Sequence, residues 1–288
     1  MPDTDRNALK LASPVSSGCF AALLLTACTG DRDELASEGA RTGAGSLATR
    51  INAETRAILP SKPGQNWIFD AYVSRNSPDV AWSRSWTKAV DFSGVAWEQP
   101  QTLTMVSPRH AVMGRHYQRP PQSQFVIFHQ RNGREVQRTI IGREFLTADI
   151  AVVLLHDDVP AGIKTYPVLA PSDSYAEQLP GALALVTDRE RKVHVHAVRT
   201  VNGGSIAFTQ ATSLPEGFFE ALTVGDSGNP AFLIVRGQPV LIETHTTGGA
   251  GAGPFYGDPT NVEEINTAMR RLSEAHDAPV YQLRTVSP

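Results

Sequence analysis

From residue 102 onward the apolar positions come in short runs, too short for helices and rich in Val, Ile, Phe and Thr. TLTMV (102–106), FVIF (125–128), VQRTIIG (136–142), DIAVVLL (149–155), ALALV (182–186), KVHVHAV (192–198), SIAFTQ (205–210), PAFLIV (230–235) and PVLIETHT (239–246) each predict a strand. Turn signals such as RNGR, NGG and RGQP lie between them. Strand follows strand without an intervening helical pattern, which predicts a mainly antiparallel all-β protein rather than a βαβ array. The period changes once near the C-terminus. Val262, Ile265, Met269 and Leu272 recur at 3-4-3 spacing behind Asn261 and Glu264, a capping-box arrangement that predicts one helix packed on the β core.

The first sixty residues have a different texture. LASPVSSGCFAALLLTAC is an apolar stretch of signal-peptide length behind Arg6 and Lys10, too short and too interrupted to span a membrane. Its end, Leu25-Thr26-Ala27-Cys28, resembles the lipobox of bacterial lipoproteins. That resemblance implies export to the periplasm or cell envelope and lipidation at Cys28; a plain secretory signal is the alternative. Residues 29–63 are polar, rich in Gly, Ala and Ser, and close on two prolines, which predicts a flexible tether with at most a short helical piece. The expected organisation is a signal peptide (1–28), a tether (29–63) and two β-rich halves, 64–168 and 169–288.

Composition narrows the partners. A chain of 288 residues with 41% hydrophobic content can bury a core. A net charge of −3 gives no basis for nucleic acid or an anionic membrane surface as partner. Both cysteines, Cys19 and Cys28, precede residue 30, so the body must hold without a disulfide.

The most specific string is VGDSGNPAF, residues 224–232. A serine between glycines can occupy a tight turn, and Gly225 lets the N–H groups of residues 225 and 227 point at one spot, as an oxyanion hole requires. The G-x-S-x-G elbow of α/β-hydrolases does not fit, because position 229 is Asn229 and no strand-to-helix context surrounds the serine. A serine hydroxyl needs a base, and the base needs an orienting acid. Upstream, TADIAVVLL supplies Asp149 at the start of a strand, and VSPRHAVMGRHY supplies two histidines, His110 and His116.

Together these stretches resemble the motifs of chymotrypsin-like serine proteases over roughly residues 85–275, in the compact bacterial form without disulfides: a Ser-Pro strand ending in a histidine, an Asp-Ile-Ala strand, and a Gly-Asp-Ser-Gly turn. Laid on that pattern, Ser107-Pro108 match the family's Ser-Pro, His110 stands where the family has a bulky residue, and His116 falls on the catalytic histidine. Arg115 in place of alanine and Asn229 in place of glycine are departures, and the first leaves His110 as the second candidate. The resemblance implies two six-stranded antiparallel β-barrels with a C-terminal helix, a catalytic triad of His116, Asp149 and Ser227, and an oxyanion hole from Gly225 and Ser227. It implies a secreted or lipid-anchored monomeric endopeptidase acting on protein or peptide substrates with no cofactor or metal.

Substrate preference stays open between two readings. Ala221 at the pocket base carries no acid, and with Leu222 beside it favours an apolar or small side chain. Alternatively LIETHTTGG resembles the corresponding strand of bacterial glutamyl endopeptidases, which would place His245 as a reader of Glu. In the other register Thr244 lines the floor behind the triad and Thr246 faces the substrate backbone. The edge down to Gly248 is expected to pair with the substrate main chain. His194 and His196 alternate along a strand and are expected on a solvated face rather than around a metal. GGAGAGPFYG (248–257) is expected as a flexible loop. The competing class is a protein of the same fold that has lost catalysis and serves as a tethered binding module.

Overall fold

The computed structural model describes residues 46–72, 80–120 and 124–288. Cys28, the lipobox and residues 29–45 of the expected tether lie outside them. Residues 46–63 depart from the tether reading. Helix α1 (Leu47–Ile58) starts at Ser46, whose hydroxyl accepts from the Thr49 N–H. It buries Leu47, Ala48, Ile51 and Thr55 along one narrow stripe. Asn52 fastens it to the second sheet, donating to the Gly181 carbonyl and accepting from the Leu183 N–H at 2.6 Å. The folded body therefore begins well before residue 64. Four buried positions in a polar, alanine-rich segment are enough once a sheet face receives them.

Strands β1 (Phe69–Tyr72) and β2 (Val80–Trp82) form a small ribbon. The first main sheet is built from β3 (Thr104–Met105), β4 (His110–Gly114), β5 (Phe125–His129), β6 (Glu135–Phe145) and β7 (Ile150–Leu155), all antiparallel in the order β3-β4-β7-β6-β5. All six residues of β7 are buried, which is why its sequence is a continuous apolar run rather than an alternating one.

The second sheet begins with β8 (Val168–Leu169) and, after a short helix α2 (Tyr175–Gln178), continues through β9 (Leu183–Thr187), β10 (Val193–Asn202) and β11 (Ser205–Gln210). Strands β12 (Pro230–Val235), β13 (Gln238–Thr244) and β14 (Ala252–Pro254) follow, then helix α3 (Pro259–Ala275) and β15 (Thr285–Val286). The spatial order is β14-β11-β10-β9-β12-β13-β8-β15. The protein is thus mostly β, with two curled sheets and a C-terminal helix. The sheets hold five and eight strands, and β8 runs parallel to both its neighbours, β13 and β15.

The glycine-rich stretch expected as a loop supplies the edge strand β14, paired with β11. Helix α3 begins two residues before the expected cap: Asp258 is the N-cap and accepts from the Asn261 N–H, with Pro259 in the first turn. Val262, Ile265, Met269 and Leu272 are its buried face, as the spacing predicts. It follows the second sheet in sequence but packs on β6 and β7 of the first. The segment after it closes the molecule: the Val168 N–H donates to the Arg284 carbonyl, and the Tyr281 hydroxyl donates to Asp158 at 2.6 Å.

One apolar cluster runs across the seam between the sheets, with Phe92 and Tyr166 against Phe232 of β12 at ring separations of 5.9 and 4.7 Å. A buried ion pair, Glu98 with Arg119, braces the first sheet, the same Glu98 oxygen accepting the Ile127 N–H. Among the described residues no helix is long and apolar enough to cross a membrane.

Candidate active site at the seam of the two sheets

Strand β4 ends at Gly114, where the turn that carries Ser227 lies directly against it. A Cβ on Gly114 would stand 3.2 Å from the Gly228 Cα, so a side chain at position 114 would have to displace the facing turn by a few tenths of an ångström. Gly228 also adopts φ +82°, a conformation open to glycine at little cost. Thr102, just before β3, donates its hydroxyl to the Gly228 carbonyl at 3.0 Å. These contacts tie the end of β4, two residues before His116, to the turn that carries Ser227.

Asp149 opens β7 and accepts three hydrogen bonds. Its Oδ1 takes the His116 backbone N–H at 2.8 Å and its Oδ2 takes the His116 ring at Nδ1, at 2.5 Å. The third comes from the other sheet: Thr246 Oγ1 donates to the same Oδ2 at 2.7 Å. An ionised carboxylate only accepts, so Nδ1 carries the imidazole proton and Nε2 is left with its lone pair free. The His116 side chain is 43% exposed and Asp149 20%, an accessible base on a half-covered acid. Arg115, the departure beside the histidine, turns away and donates to the Leu146 carbonyl at 2.7 Å.

His110 is placed quite differently. It is fully buried on β4, with Nδ1 facing Ser107 Oγ at 2.9 Å and Nε2 facing the Met269 carbonyl of α3 at 3.1 Å. Burial holds its imidazole down at about 4. It is a neutral bracket between a strand and a helix, with no open nitrogen.

The nucleophile turn is shaped by Gly225 at φ +102°. The Asp226 N–H folds back onto the Thr223 carbonyl, while the N–H groups of Gly225 and Ser227 donate to no acceptor among the described residues. Two free N–H groups flanking a serine are the donors an oxyanion hole needs. The Asp226 carboxylate is satisfied within the chain, by the Arg189 N–H at 3.1 Å and the Thr223 N–H at 2.5 Å. The Arg189 guanidinium also donates to the Val224 carbonyl at 2.7 Å. Asn229 fits its position by donating its amide to the Asp226 carbonyl at 3.0 Å. No hydrogen bond joins His116 Nε2 to Ser227 Oγ in this structure. Such contacts commonly tighten only when substrate is bound.

The expected substrate-binding residues divide. Thr246 takes the place behind the acid that the alternative register gave to Thr244, while Thr244 instead bonds the Tyr256 hydroxyl at 3.0 Å. His245 is 1% exposed, with Nε2 toward the Thr187 carbonyl and Nδ1 2.7 Å from the Glu243 carboxylate. Burial pushes the Glu243 carboxyl up. Ala221 is exposed and Leu222 buried. His194 and His196, expected on a solvated face, are buried. His194 pairs with Asp188 at 2.8 Å and His196 lies between the Ala250 and Glu220 carbonyls, so the face they share is covered, and Val193 and Val195 are buried on the other.

Cavities flank the acid on two sides. One of about 520 Å³ is lined by Arg115, His116, Gln118 and Phe145, and one of about 460 Å³ by Thr246, Thr247, Gly204 and Asn261. A larger one, about 580 Å³, lies around Trp67 and Arg191 and touches none of His116, Asp149 and Ser227, so volume does not mark this site. Sequence reasoning missed Arg189 and Thr102, whose contacts are made across 35 and 126 residues of chain without a local pattern. The chain matches no protein-family model and has no match among curated proteins.

Proposed function

We propose that the protein is a serine endopeptidase of the chymotrypsin-like type, its two curled sheets corresponding to that family's two six-stranded barrels. The observation that carries this reading is the shared acid: Asp149, just before β7 of the first sheet, binds both His116 and Thr246, and Thr246 follows β13 of the sheet whose β12 comes just after Ser227. In the reaction His116 Nε2 takes the Ser227 hydroxyl proton as Oγ bonds to the peptide carbonyl carbon, and the carbonyl electron pair moves to oxygen. The N–H groups of Gly225 and Ser227 stabilise that oxyanion, a contribution of about 3–4 kcal/mol per donor in such sites. Collapse expels the amine, which receives the proton from His116. Water then attacks the acyl-enzyme, giving its proton to His116, which returns one to Ser227 as the acid leaves.

Asp149 orients the imidazole and stabilises the imidazolium. Asp226 is held by Arg189 and Thr223, so the site is formed without a freed N-terminus as its partner. Export with a lipid anchor at Cys28, action in the periplasm or cell envelope on protein or peptide substrates, and a monomeric state complete the reading. The missing His116 to Ser227 hydrogen bond favours the second reading, a catalytically impaired binding module. A fluorophosphonate probe on the purified chain separates them: Ser227 is labelled, His116→Ala abolishes labelling, and His110→Ala largely spares it in protein that remains folded. Wild-type protein that fails to label belongs to the binding module.

A further inference from the structure

On the serine-peptidase reading, the side chain of the residue acylating Ser227 would lie between two walls: the chain leading to Ser227, residues 221–226, and the edge that leaves Thr246, residues 246–249. Here the two walls are paired. The Leu222 N–H donates to the Gly249 carbonyl at 2.7 Å, and the Gly249 N–H returns a bond to the Leu222 carbonyl at 2.9 Å, an antiparallel bridge. Residues that exchange both bonds in this way hold their Cα atoms about 5.5 Å apart, which leaves no width for a third side chain between them.

The space beneath the bridge is also filled. Leu222 is 4% exposed and packs in the core of the second sheet. Its Cδ1 lies 2.9 Å from where a Cβ on Gly251 would stand, with Phe208 Cδ2 at 3.5 Å and His245 Nδ1 at 3.7 Å from the same point. A Cβ on Gly248 would come within 3.1 Å of the Leu222 carbonyl oxygen. The glycines of this edge therefore do not open a deep pocket; they let the walls approach. The edge itself is available to a peptide main chain, because the Thr246 carbonyl and the Gly248 N–H have no partner among the described residues.

Resting on the serine-peptidase reading, we infer that the site takes substrates with Gly or Ala on the acyl side of the scissile bond, and that Leu222 is the specificity-determining residue. Main-chain pairing then supplies most of the recognition, and side chains longer than a methyl are excluded by the Leu222–Gly249 bridge and the Leu222 side chain below it. His245 does not serve as a reader of Glu in this arrangement, since it is enclosed beside the Glu243 carboxylate.

The test uses the full chain, a fluorophosphonate without an amino-acid side chain, and tripeptidyl diphenyl phosphonates ending in Gly, Ala, Val, Phe or Glu. In each tripeptidyl reagent Ser227 Oγ bonds to phosphorus and phenoxide leaves, taking up the serine proton as phenol. The Gly and Ala reagents should modify Ser227 at least about 100-fold faster than the Phe and Glu reagents. Leu222→Ala strips the side chain that anchors the bridge in the core beside Gly251, so it should loosen the bridge, admit the larger side chains and shrink that ratio at least tenfold. Rapid fluorophosphonate labelling with Phe or Glu equal to Ala overturns the inference and leaves the serine-peptidase reading standing. An unchanged ratio in Leu222→Ala overturns the role of Leu222. Absence of fluorophosphonate labelling in the wild type overturns the underlying reading and the inference with it.

Discussion

At the scale of single residues, the same side-chain type does opposite work six positions apart. His116 has one nitrogen bound to an acid and the other open, whereas His110 has both nitrogens occupied and is fully buried. The buried member carries a consequence for stability. His110 and His196 are each pushed down by burial to about 4, against 6.5 for a free histidine. Between pH 6.5 and 4 the unfolded chain binds protons at these positions that the folded chain refuses, so stability falls as pH falls through that window. The limit is about 3 kcal/mol per histidine. Glu243 acts in the opposite sense, its raised carboxyl taking up a proton in the folded state first. The drop in urea midpoint between pH 7 and 4.5 should therefore be clearly smaller in His110→Gln than in the wild type; equal drops would remove His110 from the acid response.

At the scale of elements, the nucleophile turn is held from outside by the loop after β9. Arg189 fixes the Val224 carbonyl, and through that peptide the direction of the Gly225 N–H. Arg189→Ala should slow fluorophosphonate labelling about three- to tenfold with little change in unfolding midpoint, and Arg189→Lys should recover part of the rate. Equal rates would show that Gly225 holds its conformation alone. Elements of this kind divide sharply in how far the sequence reveals them. SIAFTQ and PAFLIV coincide with β11 and β12 because each run begins and ends at a turn signal. Helix α1 was hidden because four buried positions in a polar segment do not stand out until a sheet receives them. Two-residue strands such as β8 and β15 have no period to read. Asp149 and Ser227 were visible because strand and turn chemistry flanks them locally. Arg189, Thr102 and the Leu222–Gly249 bridge depend on chain approach alone, and no local spacing announces them.

At the scale of the whole molecule, His116 and Asp149 come from one sheet and Ser227 from the turn before a strand of the other, so the proposed site exists only where the sheets meet. Helix α3 and the C-terminal segment also tie them, α3 packing on the first sheet and β15 completing the second around β8. Beside the site, the backbone of Gly114 packs against that of Gly228. Gly114→Ala adds one methyl group at 3.2 Å from backbone and should separate base from nucleophile by a few tenths of an ångström. Labelling of Ser227 should fall at least tenfold, because reacting groups tolerate little misplacement, while the unfolding midpoint moves slightly. Undiminished labelling would show that the sheets can shift without cost. Since none of the proposed reacting groups is altered, a single methyl group would be enough, on the serine-peptidase reading, to uncouple turnover from folding, and its removal would join them again.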